Sequence, residues 1–253
     1  MDIARIRHRL ALVLVLALGS AVLAGCGEPA GPAPAPPATA EPAMTLASPD
    51  AAAGPATVAR LHEATDVFDA PRGSVQRSLA AATDFGSQTV LLITRVGAGE
   101  DAGWLEVLLP GRPNGTLGWI RSDAVEVREV ALEVRVDLAA RTLTLREGEE
   151  VVWSTPTAIG DPDHPTPTGR FYVTDKLETG DPDGGYGPYA LGLSAYSDVL
   201  TEFAGGDGQV GIHGTNVPSS IGQAVSHGCL RIDNGLVAEL AALLPLGTPV
   251  MIS

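Results

Sequence analysis

The stretch A-L-E-V-R-V-D-L, residues 131–138, alternates apolar and charged side chains. Leu132, Val134, Val136 and Leu138 fall on one face of an extended chain, and Glu133, Arg135 and Asp137 on the other, which is the pattern of a half-buried strand. R-T-L-T-L (141–145) and V-V-W-S-T-P-T-A-I (151–159) continue in the same style, and Glu147-Gly148-Glu149 between them is expected to form a hairpin turn. Working outward, a period of two recurs between turn residues along most of the chain, so the fold is expected to be mainly β.

Upstream, residues 57–128 read as a separate small β unit. G-W-L-E-V-L-L-P-G-R-P-N-G-T-L-G-W-I (103–120) contains two short strands, each bearing a tryptophan, Trp104 and Trp119, joined by a loop whose Pro-Asn-Gly accommodates positive φ. The stretch resembles the SH3-like barrels of bacterial cell-wall proteins, though a tryptophan in a hairpin is most often simply core. Downstream, residues 130–253 hold one clear helix. Asp233 or Asn234 can cap it, Leu236, Val237, Leu240, Leu243 and Leu244 form its apolar stripe, and Gly247 is the expected stop. T-P-V-M-I-S then reads as a last strand.

The N-terminus is of a different kind. Arg5, Arg7 and Arg9 precede an apolar run from Leu10 to Leu23, too short to span a bilayer comfortably and suited to a signal-peptide core. The run ends in Leu-Ala-Gly-Cys, residues 23–26, which resembles the lipobox of bacterial lipoproteins. That resemblance implies cleavage after residue 25, lipidation of Cys26 and a location in the cell envelope outside the cytoplasmic membrane, held by the lipid anchor. Residues 26–56 are Ala/Pro-rich with hardly a large apolar side chain, as expected of an extended, disordered linker. At about 3.1 Å per residue it could hold a domain roughly 90 Å from the lipid. The formal charge is −14, becoming −16 once residues 1–25, with three Arg and one Asp, are removed. Such a balance argues against nucleic acid as a partner.

With Cys26 consumed as an anchor, Cys229 stands alone in A-V-S-H-G-C-L-R-I-D-N (224–234), and an intramolecular disulfide is excluded. His227 lies two residues before it and His213, in Q-V-G-I-H-G-T-N (209–216), sixteen before it; V-P-S-S-I-G-Q-A-V between them can open a short helical turn at Pro218. Four roles compete for the thiol. It could be an inert core atom, half of an intermolecular disulfide, a zinc ligand with His213 and His227, or a nucleophile activated by an imidazole. The flanking histidine and glycine offer little apolar area to a core, and neither CxxC nor HExxH is present.

G-I-H-G-T (211–215) followed by S-H-G-C-L-R-I-D-N (226–234) resembles the signature of the L,D-transpeptidase (YkuD) catalytic domain, and P-T-P-T-G-R-F (165–171) is similar to that family's TPxGxF. The resemblance covers residues 130–253. It implies a β-sandwich with one or two short helices, preceded here by the SH3-like unit. It further implies Cys229 as nucleophile, His213 as base and then acid oriented by the Gly214 carbonyl, and an oxyanion hole from backbone N–H groups of Gly228 and Cys229 with His227. Ser226, Arg231 and Asn234 are implied to shape the substrate pocket. The implied substrate is the peptidoglycan stem tetrapeptide. Cleavage before its terminal D-Ala and transfer to a second stem amine would give 3→3 cross-links, without metal or organic cofactor and by a monomer. An L,D-carboxypeptidase and a non-catalytic peptidoglycan-binding lipoprotein are the alternatives. The stretch 175–197 is expected to supply acceptor-side loops.

Overall fold

The computed structural model describes residues 54–202 and 205–253. The signal segment, Cys26 and nearly all of the Ala/Pro-rich stretch lie outside the described residues. Seven strands form the first sheet: β1 (Ala56–Leu61), β2 (Thr65–Phe68), β3 (Val75–Leu79), β4 (Val90–Val96), β5 (Trp104–Leu108), β6 (Leu117–Arg121) and β7 (Val125–Val130). They run antiparallel in the order β3-β2-β6-β5-β4-β1-β7. Trp104 and Trp119 are core residues, each 6% exposed. Their rings are covered by guanidinium groups, Arg121 at 5.7 Å and Arg95 at 4.5 Å, so neither presents a free stacking platform.

The remaining strands are β8 (Leu132–Asp137), β9 (Thr142–Glu147), β10 (Glu150–Pro156), β11 (Ile159–Gly160), β12 (Gly169–Glu178), β13 (Tyr189–Tyr196), β14 (Gln209–His213), β15 (Ala224–Ser226), β16 (Leu230–Arg231) and β17 (Pro249–Ile252). Eight of them make a second sheet in the order β10-β9-β8-β17-β12-β13-β14-β16, and β11 pairs with β15 alone. The long β12 serves two partners. Gly169–Tyr172 pair with β17, and from Val173 onward the strand pairs with β13, with a register shift at the change-over. The two halves of the sheet thereby enclose one core, with Val134, Val136, Leu143 and Leu145 from one half and Leu191, Leu193, Ile212 and Leu230 from the other. This is the expected β-sandwich, mainly β with a single α-helix among the described residues.

In β8, Val134 and Val136 are fully buried while Asp137 is exposed, and β9 turns into β10 through Gly148 at φ 58°. Helix α1 (Asn234–Leu243) starts on Asp233, whose carboxylate accepts from Gly235 N at 2.8 Å and Leu236 N at 3.4 Å. Gly247 does not stop it. The helix ends at Leu243, because Pro245 disfavours helical backbone at Leu244, which is extended (φ −76°, ψ 124°). Gly247 lies in the following turn at φ 86°, where a Cβ would come within 2.8 Å of Val58 and Val90 in the first sheet. Its glycine thus permits the two sheets to approach. The stretch 175–197 also differs from expectation: most of it is the β12–β13 hairpin, and only residues 179–188 and Ser197 lie outside the strands.

The two sheets also share side chains. Tyr172 of β12 is fully buried within the first sheet's aliphatic cluster, and Asp175, 2% exposed, is bonded to Thr83 at 2.5 Å.

Candidate active site

Strands β14 and β16 run parallel with Ile212 opposite Leu230 and His213 opposite Arg231, which sets the loop bearing Cys229 beside the end of β14. A cleft of about 250 Å³ opens there, walled by Cys229, His213, His227, Arg231 and Tyr186 together with Ser197, Leu200 and Gly208.

The buried ring of His213 is fixed by one strong contact, with Nδ1 lying 2.7 Å from the Gly214 carbonyl oxygen. A carbonyl only accepts, so Nδ1 carries the proton and Nε2 keeps the lone pair. Burial pushes His213 down to about 4, against a raising effect of the Gly214 bond and with a further lowering by Arg231. The imidazole is therefore neutral at pH 7. Cys229, a free and partly buried thiol, is pushed up by burial, while a backbone hydrogen bond with Gly211 and the Arg231 charge pull the other way. Half-buried Arg231 thus favours negative charge at the thiol. Its own Nε is buried and has no protein partner.

The loop before Cys229 is braced from both sides. Gly228, at φ 110°, donates its N–H to Ser226 Oγ (3.1 Å), and its carbonyl accepts from buried Thr166 Oγ1 (2.9 Å). Thr166 in turn accepts from Gly160 N at 2.9 Å, while Asp161 N donates to Ser226 O at 2.9 Å. Two expectations change as a result. Ser226 does not line the cleft: it is fully buried, and its hydroxyl donates to Cys229 O at 2.6 Å. The Gly228 N–H, expected in an oxyanion hole, is committed to Ser226. Asn234 is likewise a brace, its Oδ1 accepting from Thr215 N at 2.8 Å. A Cβ on Gly214 would lie 2.2 Å from that Oδ1, which is why the carbonyl that orients His213 belongs to a glycine.

Tyr186 and His164 were not singled out from sequence. Tyr186 stands on the 179–188 loop with its ring 4.6 Å from that of His213, and exposed His227 has its ring 4.9 Å from that of His164, whose Nδ1 lies 3.1 Å from Asp161 Oδ1. Both sit in glycine- and proline-rich loops remote in sequence from Cys229, so no local spacing could bring them forward. Thr166 lies inside P-T-P-T-G-R-F, where its hydroxyl was the available signal. Among the described residues no three His, Cys, Asp or Glu converge as for a metal ion, so the zinc alternative has no donor set.

A family model described as the L,D-transpeptidase catalytic domain, YkuD, matches residues 132–252. Two proteins named "Putative L,D-transpeptidase YkuD" align with the chain. The one from Bacillus subtilis (strain 168) is 34% identical over 189 residues, covering 74% of this chain and 98% of that protein. The one from Bacillus licheniformis is 33% identical over 190 residues, with the same coverage. The chain belongs to the YkuD family of L,D-transpeptidases. The family match begins on the first residue of β8 and ends on the last of β17, so the YkuD domain coincides with the second sheet, its helix and the cleft. Among solved structures, the chain is similar to an L,D-transpeptidase from Mycobacterium smegmatis, at 18% identity and a TM-score of 0.40, covering 76% of this chain and 98% of that one.

Proposed function

We propose that the protein is a cysteine-dependent peptidoglycan L,D-transpeptidase. The observation that carries this reading is a partly buried thiol and a neutral, orientation-locked imidazole on the walls of one cleft, with an unpartnered guanidinium nitrogen beside them. In the first half-reaction the Cys229 thiol attacks the carbonyl carbon of the third residue of a stem tetrapeptide. As the S–C bond forms, His213 Nε2 takes the thiol proton. The C–N bond to the terminal D-Ala then breaks, and the same nitrogen delivers that proton to the leaving amine. The opposing directions at Cys229 and His213 favour a neutral pair at rest, so the proton moves during attack and not before it.

Charge that develops on the carbonyl oxygen is stabilised by the Cys229 N–H, since the Gly228 N–H is engaged inward. Arg231, whose side chain lines the cleft, offers its guanidinium to a substrate carboxylate. In the second half-reaction a side-chain amine of another stem attacks the thioester, giving a 3→3 cross-link and returning the thiol. In this reading residues 57–128 are an SH3-like accessory unit, and lipidated Cys26 with the 26–56 linker places the enzyme at the cell wall, outside the cytoplasmic membrane.

The test is incubation of the soluble protein with defined tetrapeptide stems, products being identified by mass spectrometry. Cross-linked dimer with released D-Ala in wild type, and neither in Cys229→Ala, is the expected outcome; tripeptide alone assigns water as the acceptor and an L,D-carboxypeptidase. Turnover by Cys229→Ala at more than about 0.1% of the wild-type rate would remove the thiol from the chemistry, because losing a covalent nucleophile costs upward of about 1,000-fold. No reaction in wild type leaves a peptidoglycan-binding protein.

A further inference from the structure

One wall of the cleft is formed by Ser197, Leu200 and Gly208, which lie between β13 and β14 outside any named strand or helix. Backbone carbonyls in such a segment need donors from elsewhere. They find them in the first sheet. The loop joining β5 to β6 sends out Arg112, whose guanidinium donates from Nε to Ser197 O (2.9 Å), from Nη1 to Asp207 O (2.8 Å) and from Nη2 to Leu200 O (2.6 Å). Two residues on, Asn114 completes the join. Its Nδ2 donates to Tyr196 O at 2.7 Å while its Oδ1 accepts from Tyr196 N at 2.9 Å, so one side-chain amide occupies both backbone groups at the end of β13 as a neighbouring strand would.

The contact is built to be close. Gly208 sits at φ 81°, and a Cβ there would lie 2.6 Å from Arg112 Nη2 and 2.0 Å from Leu200 O, so no other residue fits between guanidinium and wall. The planar fork of arginine presents three separate nitrogens, one to each carbonyl, whereas lysine carries all its donors on a single nitrogen.

We propose that Arg112 and Asn114 are positioning residues for the transpeptidase reaction: the first sheet holds the wall at Ser197, Leu200 and Gly208 in the shape that receives the stem peptide, so the accessory unit sets substrate affinity through a loop of the catalytic domain. The inference rests on the functional reading above. Neither residue touches the reacting atoms, so the thiol's chemistry is untouched and the cost falls on binding. Freed of three charge-assisted bonds that are partly open to water, the wall relaxes by an amount worth about tenfold in affinity.

The experiment compares wild type, Arg112→Ala and Arg112→Lys in four measurements: KM and kcat for D-Ala release from a defined tetrapeptide stem, the rate of Cys229 alkylation by iodoacetamide, amide hydrogen exchange across 196–210, and the thermal midpoint. Arg112→Ala is expected to raise KM about tenfold with kcat within about twofold. Exchange in the wall quickens, alkylation is unchanged, and the lysine variant recovers only part of the loss. The proposal is overturned if KM and wall protection both match wild type, or if kcat and alkylation fall together in proportion to lost folded protein. Wild type that releases no D-Ala from any stem instead overturns the transpeptidase reading, and the clamp on the wall is then decided by exchange alone.

Discussion

The two sheets bury their apolar faces in different ways. Between residues 56 and 130 the buried polar side chains among the described residues are Thr65 and Thr89, and the core is otherwise aliphatic and aromatic. The second sheet buries His213, Thr166, Ser226, Asp175 and Ser194 as well, and those beside the cleft are tied into a chain of hydrogen bonds that ends at the Cys229 loop. A buried polar group is tolerated only when its partners are supplied. The core of the first sheet therefore reads as packing alone, and that of the second as packing that has been given over in part to hold a reactive loop. The contrast makes a claim about energy: polar groups near the cleft should be costly to lose, and a polar group inside the first sheet's core should be costly to keep.

The largest effect is expected at Thr166. Its hydroxyl accepts from Gly160 N and donates to Gly228 O, and the residue is 4% exposed. Thr166→Val preserves the shape while orphaning one buried N–H and one buried C=O, at about 1–3 kcal/mol each, so a loss of about 4 kcal/mol is expected in urea unfolding at pH 7. A loss below about 1 kcal/mol would mean that water replaces the hydroxyl without penalty, and the contrast between the sheets would weaken accordingly.

Next comes the pH dependence carried by His213. Its folded value near 4, set first by burial, lies below the ordinary 6.5, so between these values the unfolded chain binds a proton that the fold refuses. The sign follows directly. The contribution is complete above pH 6.5 and disappears as pH falls toward 4, a window worth up to about 3 kcal/mol. Carboxylates lose stability over part of the same range in any variant, so the informative quantity is a difference. From pH 7 to pH 4 the wild type should lose up to about 3 kcal/mol more than His213→Gln, which cannot titrate. Parallel curves would show that the folded ring protonates as readily as a free one. Because residues 56–130 bury no titratable side chain of their own among the described residues, exchange at pH 5 should quicken first around β14 and the 226–231 loop.

How much of this was open to a reader of the sequence follows from the physics of each part. Strand β8 was legible because its partners on both sides are strands and one face meets the core, so alternation survives undiluted in Leu132–Asp137. The Gly148 turn and the Asp233 cap were legible because both are local in sequence. Strands β12 and β13 were hidden, although Leu191, Leu193 and Ala195 do alternate, because the glycines and tyrosines around them mimic loop composition. At the site, Cys229 and His213 came from a motif that encodes their chemistry directly. Ser226 and Asn234 belong to the same motif but face inward, and a motif does not record direction. Tyr186, His164 and Arg112 arrive through tertiary contacts from distant loops, which no spacing rule reports.

The smallest effect has the opposite sign and bears on the first sheet. Tyr172 is fully buried among Leu61, Leu91, Leu92 and their neighbours, and its hydroxyl has no protein partner; burial pushes the phenol far above its ordinary value. The ring fills volume that the two sheets share, while the oxygen brings desolvation with no bond in return. Tyr172→Phe keeps the ring and removes the oxygen, so the protein should gain about 1 kcal/mol, read as an upward shift of the urea midpoint at constant slope. A comparable loss instead would mean that the hydroxyl finds a partner in solution, with Arg77, Tyr196 and Asp175, the groups that act on it electrostatically, as candidates. The junction between the sheets would then be a polar network like the one beneath Cys229, and the division between a packing half and a working half would move from β8 to somewhere inside β12.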